Sequence, residues 1–172
     1  MSCRAIPNRF TTGFTLLELI VALAVLAILV SLSMPSFSAL IAQTRIASAT
    51  NDLLSDMEFA RHEAIRRNDS VVLCGSRDRS GCASYGWQQW IVTTGKGLVL
   101  RTGQMPDRSD VTVSDALRRG LVFQSTGLVS MGGRMPAEGS ILVCNTAVLK
   151  RYRVVIGSGI SLQRQKEDEG CG

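Results

Sequence analysis

The sequence predicts an α+β protein: one long N-terminal helix, its first half membrane-spanning, packed on a β-rich antiparallel C-terminal domain. Three observations predict it. An apolar run occupies the first fifth of the chain, a helical periodicity continues that run to about residue 68, and short strand-like segments divided by turns fill the remainder. Of the 172 residues, 45% are apolar and 19% charged, with no long polar low-complexity tract, which excludes a wholly disordered chain. The expected organisation is a removable leader (1–13), a transmembrane half of the helix (14–35), an amphipathic exported half (36–68) and a globular domain (69–172).

The membrane segment comes first. Leu19 to Val30 reads LIVALAVLAILV, and from Phe14 to Met34 the polar positions are Thr15, Glu18, Ser31 and Ser33. As a helix, Phe14–Met34 would measure about 31 Å, against about 30 Å of bilayer hydrocarbon. Arg4 and Arg9 precede it and would keep the N-terminus cytoplasmic, sending everything beyond Met34 outward. A cleaved secretory signal is the competing reading, with Ser36-Phe37-Ser38 as its cleavage site. Its apolar core should be only 7–15 residues, and it has no use for a carboxylate such as Glu18 at membrane depth.

The order of residues around that carboxylate is specific. A short basic leader ends in Gly13, and Phe14-Thr15-Leu16-Leu17-Glu18-Leu19-Ile20 follows. This string resembles the processing and assembly signal of type IV prepilins and type II secretion pseudopilins. The resemblance implies that a prepilin peptidase cuts between Gly13 and Phe14, that Phe14 is then N-methylated, and that Glu18 serves assembly. Pro35 stands where many pilins have a helix-bending proline. Elementary electrostatics agrees: cleavage would create an amine at Phe14, and a carboxylate in lipid is stabilised by an opposite charge, such as another subunit's N-terminal amine. A residue snorkelling at the membrane edge is the alternative for Glu18.

Beyond Pro35 an amphipathic helix is expected. Ile46, Leu53, Met57, Ala60 and Ala64 recur at helical spacing, while Arg45, Asp52, Asp56, Glu58, Arg61, Arg66 and Arg67 populate the other faces. Glu58 with His62 and Glu63 with Arg67 are candidate i,i+4 pairs, and Asn68-Asp69 is the expected stop. His62-Glu63 lacks the second histidine of a zinc-protease motif, the position being Arg66. No metal site or cofactor is expected.

After Ser70 the expected strands are Val71–Cys74, Trp90–Thr93, Leu98–Arg101, Val111–Val113, Leu121–Gln124, Ile141–Cys144, Arg153–Ile156 and Ile160–Gln163. Fifteen of the 16 glycines follow Asp69, which suits tight turns. Cys3 would leave with the leader, so four cysteines remain: Cys74, Cys82, Cys144 and Cys171. Four allow three connectivities; the favoured one pairs Cys74 with Cys82, closing a short loop, and Cys144 with Cys171, tying the tail to a strand.

Two further stretches narrow the resemblance. Met57 to Cys74, MEFARHEAIRRNDSVVLC, and Cys74 to Val92, CGSRDRSGCASYGWQQWIV, are similar to the helix end and the cysteine-bounded loop of the FimT/GspH class of minor pilins and pseudopilins. The likeness covers residues 9 to about 95 and the remainder more loosely. It implies the pilin fold and assembly with other minor and major pilins, or pseudopilins, through the N-terminal helix. It also implies an inner-membrane assembly platform as partner, and a single-pass inner-membrane location with a periplasmic domain before extraction into an extracellular pilus. Trp87 and Trp90 are read as core residues.

Lys+Arg exceed Asp+Glu by 19 to 14; setting aside Arg4 and Arg9 leaves 17 against 14, or +3. Some members of the class capture DNA through a basic C-terminal patch, so DNA is a further candidate partner, with Lys150, Arg151, Arg153, Arg164 and Lys166 as candidate contacts. Arg151 and Arg153 would share one strand face, with Tyr152, Val154 and Ile156 on the other. Against this, uncharged residues fill Gly157 to Leu162 where the class motif has arginines, and Glu167-Asp168-Glu169 brings negative charge close to Arg164. Three functions are therefore carried forward: a minor pilin that promotes assembly or forms the tip of a type IV pilus, a DNA-binding minor pilin, and an H-type minor pseudopilin. The sequence has no GxSxG elbow, P-loop or dinucleotide fingerprint, so an enzyme is not expected.

Overall fold

A computed structural model of the chain describes residues 14–83, 86–133, 139–146, 149–157, 162–167 and 171, with the side chains of 32–36, 162–164, 166 and 167 outside that description. Gly13 and the side chain of Pro35 therefore lie outside the described residues. The chain divides into two compact units, Met1–Ser38 and Ala39–Gly172.

A helix, α1 (Leu16–Arg67), contributes to both units. Its start is capped: the Glu18 N–H donates to Thr15 Oγ1 at 3.2 Å, and the Leu19 N–H bonds the Thr15 carbonyl. Thr15 thus occupies the N-cap position, its hydroxyl accepting from the backbone N–H of Glu18 at N3. At the other end Asn68 adopts φ +51°. The Asp69 N–H reaches the Ala64 carbonyl and the Asn68 N–H that of Ile65, each at 3.2 Å. This left-handed closure ends the helix at the expected Asn-Asp pair.

In the second unit the expected stripe is fully buried: Ile46, Leu53, Met57, Ala60 and Ala64 have no exposed surface. They form one core with the inward residues of two antiparallel sheets. The first sheet has the order β3-β2-β1-β5-β6, from β1 (Val71–Gly75), β2 (Gln89–Thr94), β3 (Val99–Gln104), β5 (Leu121–Phe123) and β6 (Val129–Met131). The second has the order β4-β7-β8-β9, from β4 (Ser109–Val113), β7 (Gly139–Asn145), β8 (Lys150–Ile156) and β9 (Leu162–Glu167). All eight expected strands are present with shifted ends.

Two short elements were not expected: β6 and a 3-10 turn, Asp115–Leu117. Val129-Ser130-Met131 lies between glycine-bearing turns and is too short to display a period of two. It is a strand because Leu121 to Phe123 pairs with it across a tight turn, in the register Leu121↔Met131 and Phe123↔Val129.

Three helix residues depart from the simple amphipathic picture. Asp56, Arg61 and Glu63 are each more than nine-tenths buried. Glu58 forms its ion pair with Arg61, at 3.5 Å, in place of His62.

Candidate functional site

The residues that the sequence marks for assembly lie at the start of α1. Phe14 is 83% exposed, and the large apolar side chains from Leu16 to Val30 all keep between 47% and 77% of their surface exposed. Glu18 is exposed beside them. Helical spacing distributes these side chains around the whole helix, so the exposed apolar surface has no polar flank. Such a surface needs lipid or other apolar helices around it. Among the described residues no helix is long and apolar enough to cross a membrane; the described side chains run from Leu16 to Ser31, about 24 Å of helix.

The domain holds α1 by a polar clamp inside an apolar core. The Trp90 Nε1–H donates to Asp56 Oδ2 at 2.8 Å, and Arg101 Nη1 donates to Asp56 Oδ1 at 3.2 Å. The Arg101 guanidinium lies over the Phe59 ring, 3.8 Å from its centroid. Both carboxylate oxygens of a buried aspartate are thereby bonded, as burial of that charge demands. Gly103 makes room for the clamp: a Cβ there would lie 2.2 Å from Cε2 and Cζ2 of Trp90. Trp90 and Trp87 are both core residues, 1% and 3% exposed.

A second cluster closes the helix. Glu63 accepts from Arg66 Nε at 2.9 Å and Nη2 at 2.5 Å, and from Arg67 Nε at 2.6 Å. The hydrogen bonds from Arg66, then those from Arg67, hold its carboxyl down at about 2. The expected Glu63–Arg67 pair is present, and Arg66 is an additional partner because i+3 and i+4 are both neighbours on a helix.

Two disulfides join the four cysteines: Cys74 with Cys82, and Cys144 with Cys171. The first closes the loop after β1. The second fixes the chain end to β7, where Cys171 Sγ also lies 3.5 Å from the Asn145 carbonyl.

The candidate nucleic-acid contacts fall at different places in the second sheet. Tyr152, Val154 and Ile156 face the core, and Arg151 and Arg153 alternate with them, half-buried. The register sets Arg151 beside Cys144 of β7 and Glu167 of β9, and Cys144 in turn beside Asp110 of β4. Arg153 stands between Leu142 and Gln165. Arg164 and Lys166 occupy β9 positions opposite Val154 and Tyr152, out of row with Arg151 and Arg153, and their side chains lie outside the described residues. Lys150 pairs in register with Asn145. Among the described residues no group of three or more His, Cys, Asp or Glu is placed to hold a metal ion.

The family described as Type II transport protein GspH matches residues 49–159, and the Prokaryotic N-terminal methylation motif matches residues 9–34. The chain belongs to the GspH family. It is a pilin-like subunit of the FimT/GspH class, which comprises minor pilins and pseudopilins.

The GspH-family fold is seen in solved structures of low identity. The type IV minor pilin FimU of Pseudomonas aeruginosa is 16% identical, with a TM-score of 0.55 over 74% of this chain and 96% of that one. The minor pseudopilin EpsH from the Type 2 Secretion System of Vibrio cholerae is 9% identical, with a TM-score of 0.52 over 73% of this chain and 99% of that one. Comparison with curated protein sequences gave no match.

For a GspH-family chain the N-terminal helix is the signal that sequence alone displays best. The Thr15 cap, the buried Asp56 and the close approach at Gly103 were missed. Thr15-x-x-Glu18 is a legible capping pattern; nothing local marks Asp56 or Gly103, whose partners come from other elements.

Proposed function

We propose that this GspH-family chain is a minor pilin of a type IV pilus, promoting assembly or forming the tip, and that it is a structural subunit without catalytic activity. The observation that carries the reading is the exposed apolar start of α1 with Glu18 within it. A domain whose own core is complete elsewhere has no internal use for that surface, whereas a filament of packed N-terminal helices does. In this reading prepilin peptidase cleaves after Gly13, Phe14 is methylated, and the chain waits in the inner membrane with residues 36–172 outside until the assembly platform extracts it. Glu18 then meets the N-terminal amine of a neighbouring pilin.

Deleting the chain, or substituting Glu18→Ala, should reduce piliation or twitching while sparing protein export. The mature polypeptide should begin at methylated Phe14 by mass spectrometry. Normal filaments in both mutants would refute the pilus assignment.

The family description and the likeness to EpsH favour a second reading, an H-type minor pseudopilin. Loss of exoprotein export with intact pili would establish it. A DNA-capture role has less support, because the register sets Arg151 in one row with Asp110 and Glu167, whose carboxylates repel phosphate. Gel shifts of Arg151→Ala and Arg153→Ala variants across salt concentrations test it.

A further inference from the structure

We propose that a surface depression beside the Cys74–Cys82 loop binds an anionic saccharide. The depression has a volume of about 270 Å3 and is lined by Ser76, Arg77, Gly86, Gln88 and Gln89. It is smaller than the roughly 300–1,000 Å3 of sites for drug-sized ligands, which suits a single sugar-sized unit.

Its walls are preorganised. The disulfide closes the loop. Within it Ser76 Oγ donates to the Gly81 carbonyl at 2.7 Å and accepts from the Arg79 N–H at 3.0 Å, while the Ala83 N–H bonds the Gly75 carbonyl at 2.8 Å. Arg79 holds φ +62°, an uncommon conformation for a side-chain-bearing residue, and its guanidinium donates to Gln104 Oε1 on β3. Gln88 is oriented by donation from Nε2 to the Ser109 carbonyl at 2.5 Å. A ligand would therefore meet Ser76 and Gln88 already held in place, which lowers the entropic cost of binding.

The chemistry of the lining selects the ligand. The Gln89 amide and the remaining capacity of the Gln88 amide can pair with sugar hydroxyls as donor or acceptor, while the Ser76 hydroxyl has its hydrogen committed to Gly81 and can only accept. Arg77 adds one exposed cation that has no ion-pair partner among the described residues, and a guanidinium matches a carboxylate or phosphate bidentately. Asp78 follows it, but its carboxylate is turned into its own loop, accepting from Ser80 N at 3.0 Å and Ser80 Oγ at 2.6 Å. One cation beside an amide-rich surface favours a sugar acid or sugar phosphate over a nucleic acid, whose phosphate run calls for a row of cations.

Titration calorimetry on the full chain in detergent micelles, disulfides intact, tests the proposal with four probes: tetragalacturonate, glucose 6-phosphate, neutral maltotetraose and an eight-nucleotide single-stranded DNA. Saturable binding of tetragalacturonate or glucose 6-phosphate is expected, and the stronger of the two identifies the anion. Maltotetraose and the oligonucleotide should bind at least tenfold more weakly. Arg77→Ala and Arg77→Gln should each weaken the anionic probe at least tenfold, Gln89→Ala about threefold, and Arg153→Ala not at all. Failure of both anionic sugars to bind, equal binding of the neutral sugar or the oligonucleotide, or indifference to both Arg77 variants with circular dichroism unchanged would overturn it.

Discussion

The indole N–H of Trp90 on β2 donates to the carboxylate of Asp56 on α1 at 2.8 Å, a bond between residues 34 positions apart that fastens the helix to the first sheet. Asp56 has a second partner in Arg101 on the edge strand β3, so one carboxylate ties three elements together. The consequences can be measured.

Asp56→Ala should lower the unfolding free energy by about 1–3 kcal/mol, because it leaves the Trp90 N–H buried and unpaired. Asp56→Asn retains an acceptor and should lose less. Urea unfolding followed by tryptophan fluorescence compares the two; equal stability of Asp56→Ala and the parent would show that the clamp contributes nothing.

Gly103→Ala tests the same clamp from the other strand. The added methyl must displace the Trp90 ring, which overlaps its position at 2.2 Å. Overpacking of this kind costs about 1–3 kcal/mol. The tryptophan emission maximum should shift in the folded state as the indole leaves Asp56.

Glu63 supplies a pH signature. Its carboxyl lies at about 2 in the folded chain, below the 4.5 of an unperturbed glutamate, through hydrogen bonds from Arg66 and then Arg67. A depressed folded value means that the unfolded chain binds this proton more readily, so the contribution is complete above about pH 4.5 and disappears as pH falls toward 2. Glu63→Gln should therefore be less stable than the parent at pH 7, and the difference should close between pH 4.5 and pH 2. A constant difference across that window would contradict the assignment.

The disulfides should differ in effect. Cys74–Cys82 closes a separation of 8 residues and Cys144–Cys171 one of 27. On loop-closure entropy they contribute about 2.5 and about 3.5 kcal/mol. Cys144→Ser with Cys171→Ser should lower the unfolding midpoint more than the Cys74→Ser, Cys82→Ser pair, and should speed amide exchange in β9. Peptide mapping without reduction should recover these two pairs and no others.

Much of this protein is legible in its sequence. The apolar run from Leu19 to Val30, the Gly13-Phe14 junction, Glu18 and the stripe from Ile46 to Ala64 are local patterns, and a helix repeats its environment every 3.6 residues, so spacing alone reports which face is buried. The eight expected strands were legible for the same reason, since strand and turn chemistry is written into neighbouring residues. The three-residue β6 was not, because so short a strand has no period and exists only through its partner.

Sequence by itself determined the helix, the N-terminal methylation motif and the family, because each depends on residues close together along the chain. Tertiary structure alone decided that Asp56 is buried and bonded rather than solvated, that Gly103 must lack a side chain, and that Arg151 shares its row with carboxylates. Those facts depend on which strand lies beside which and in what register, a choice made by the packing of the whole core and therefore absent from any local stretch of sequence.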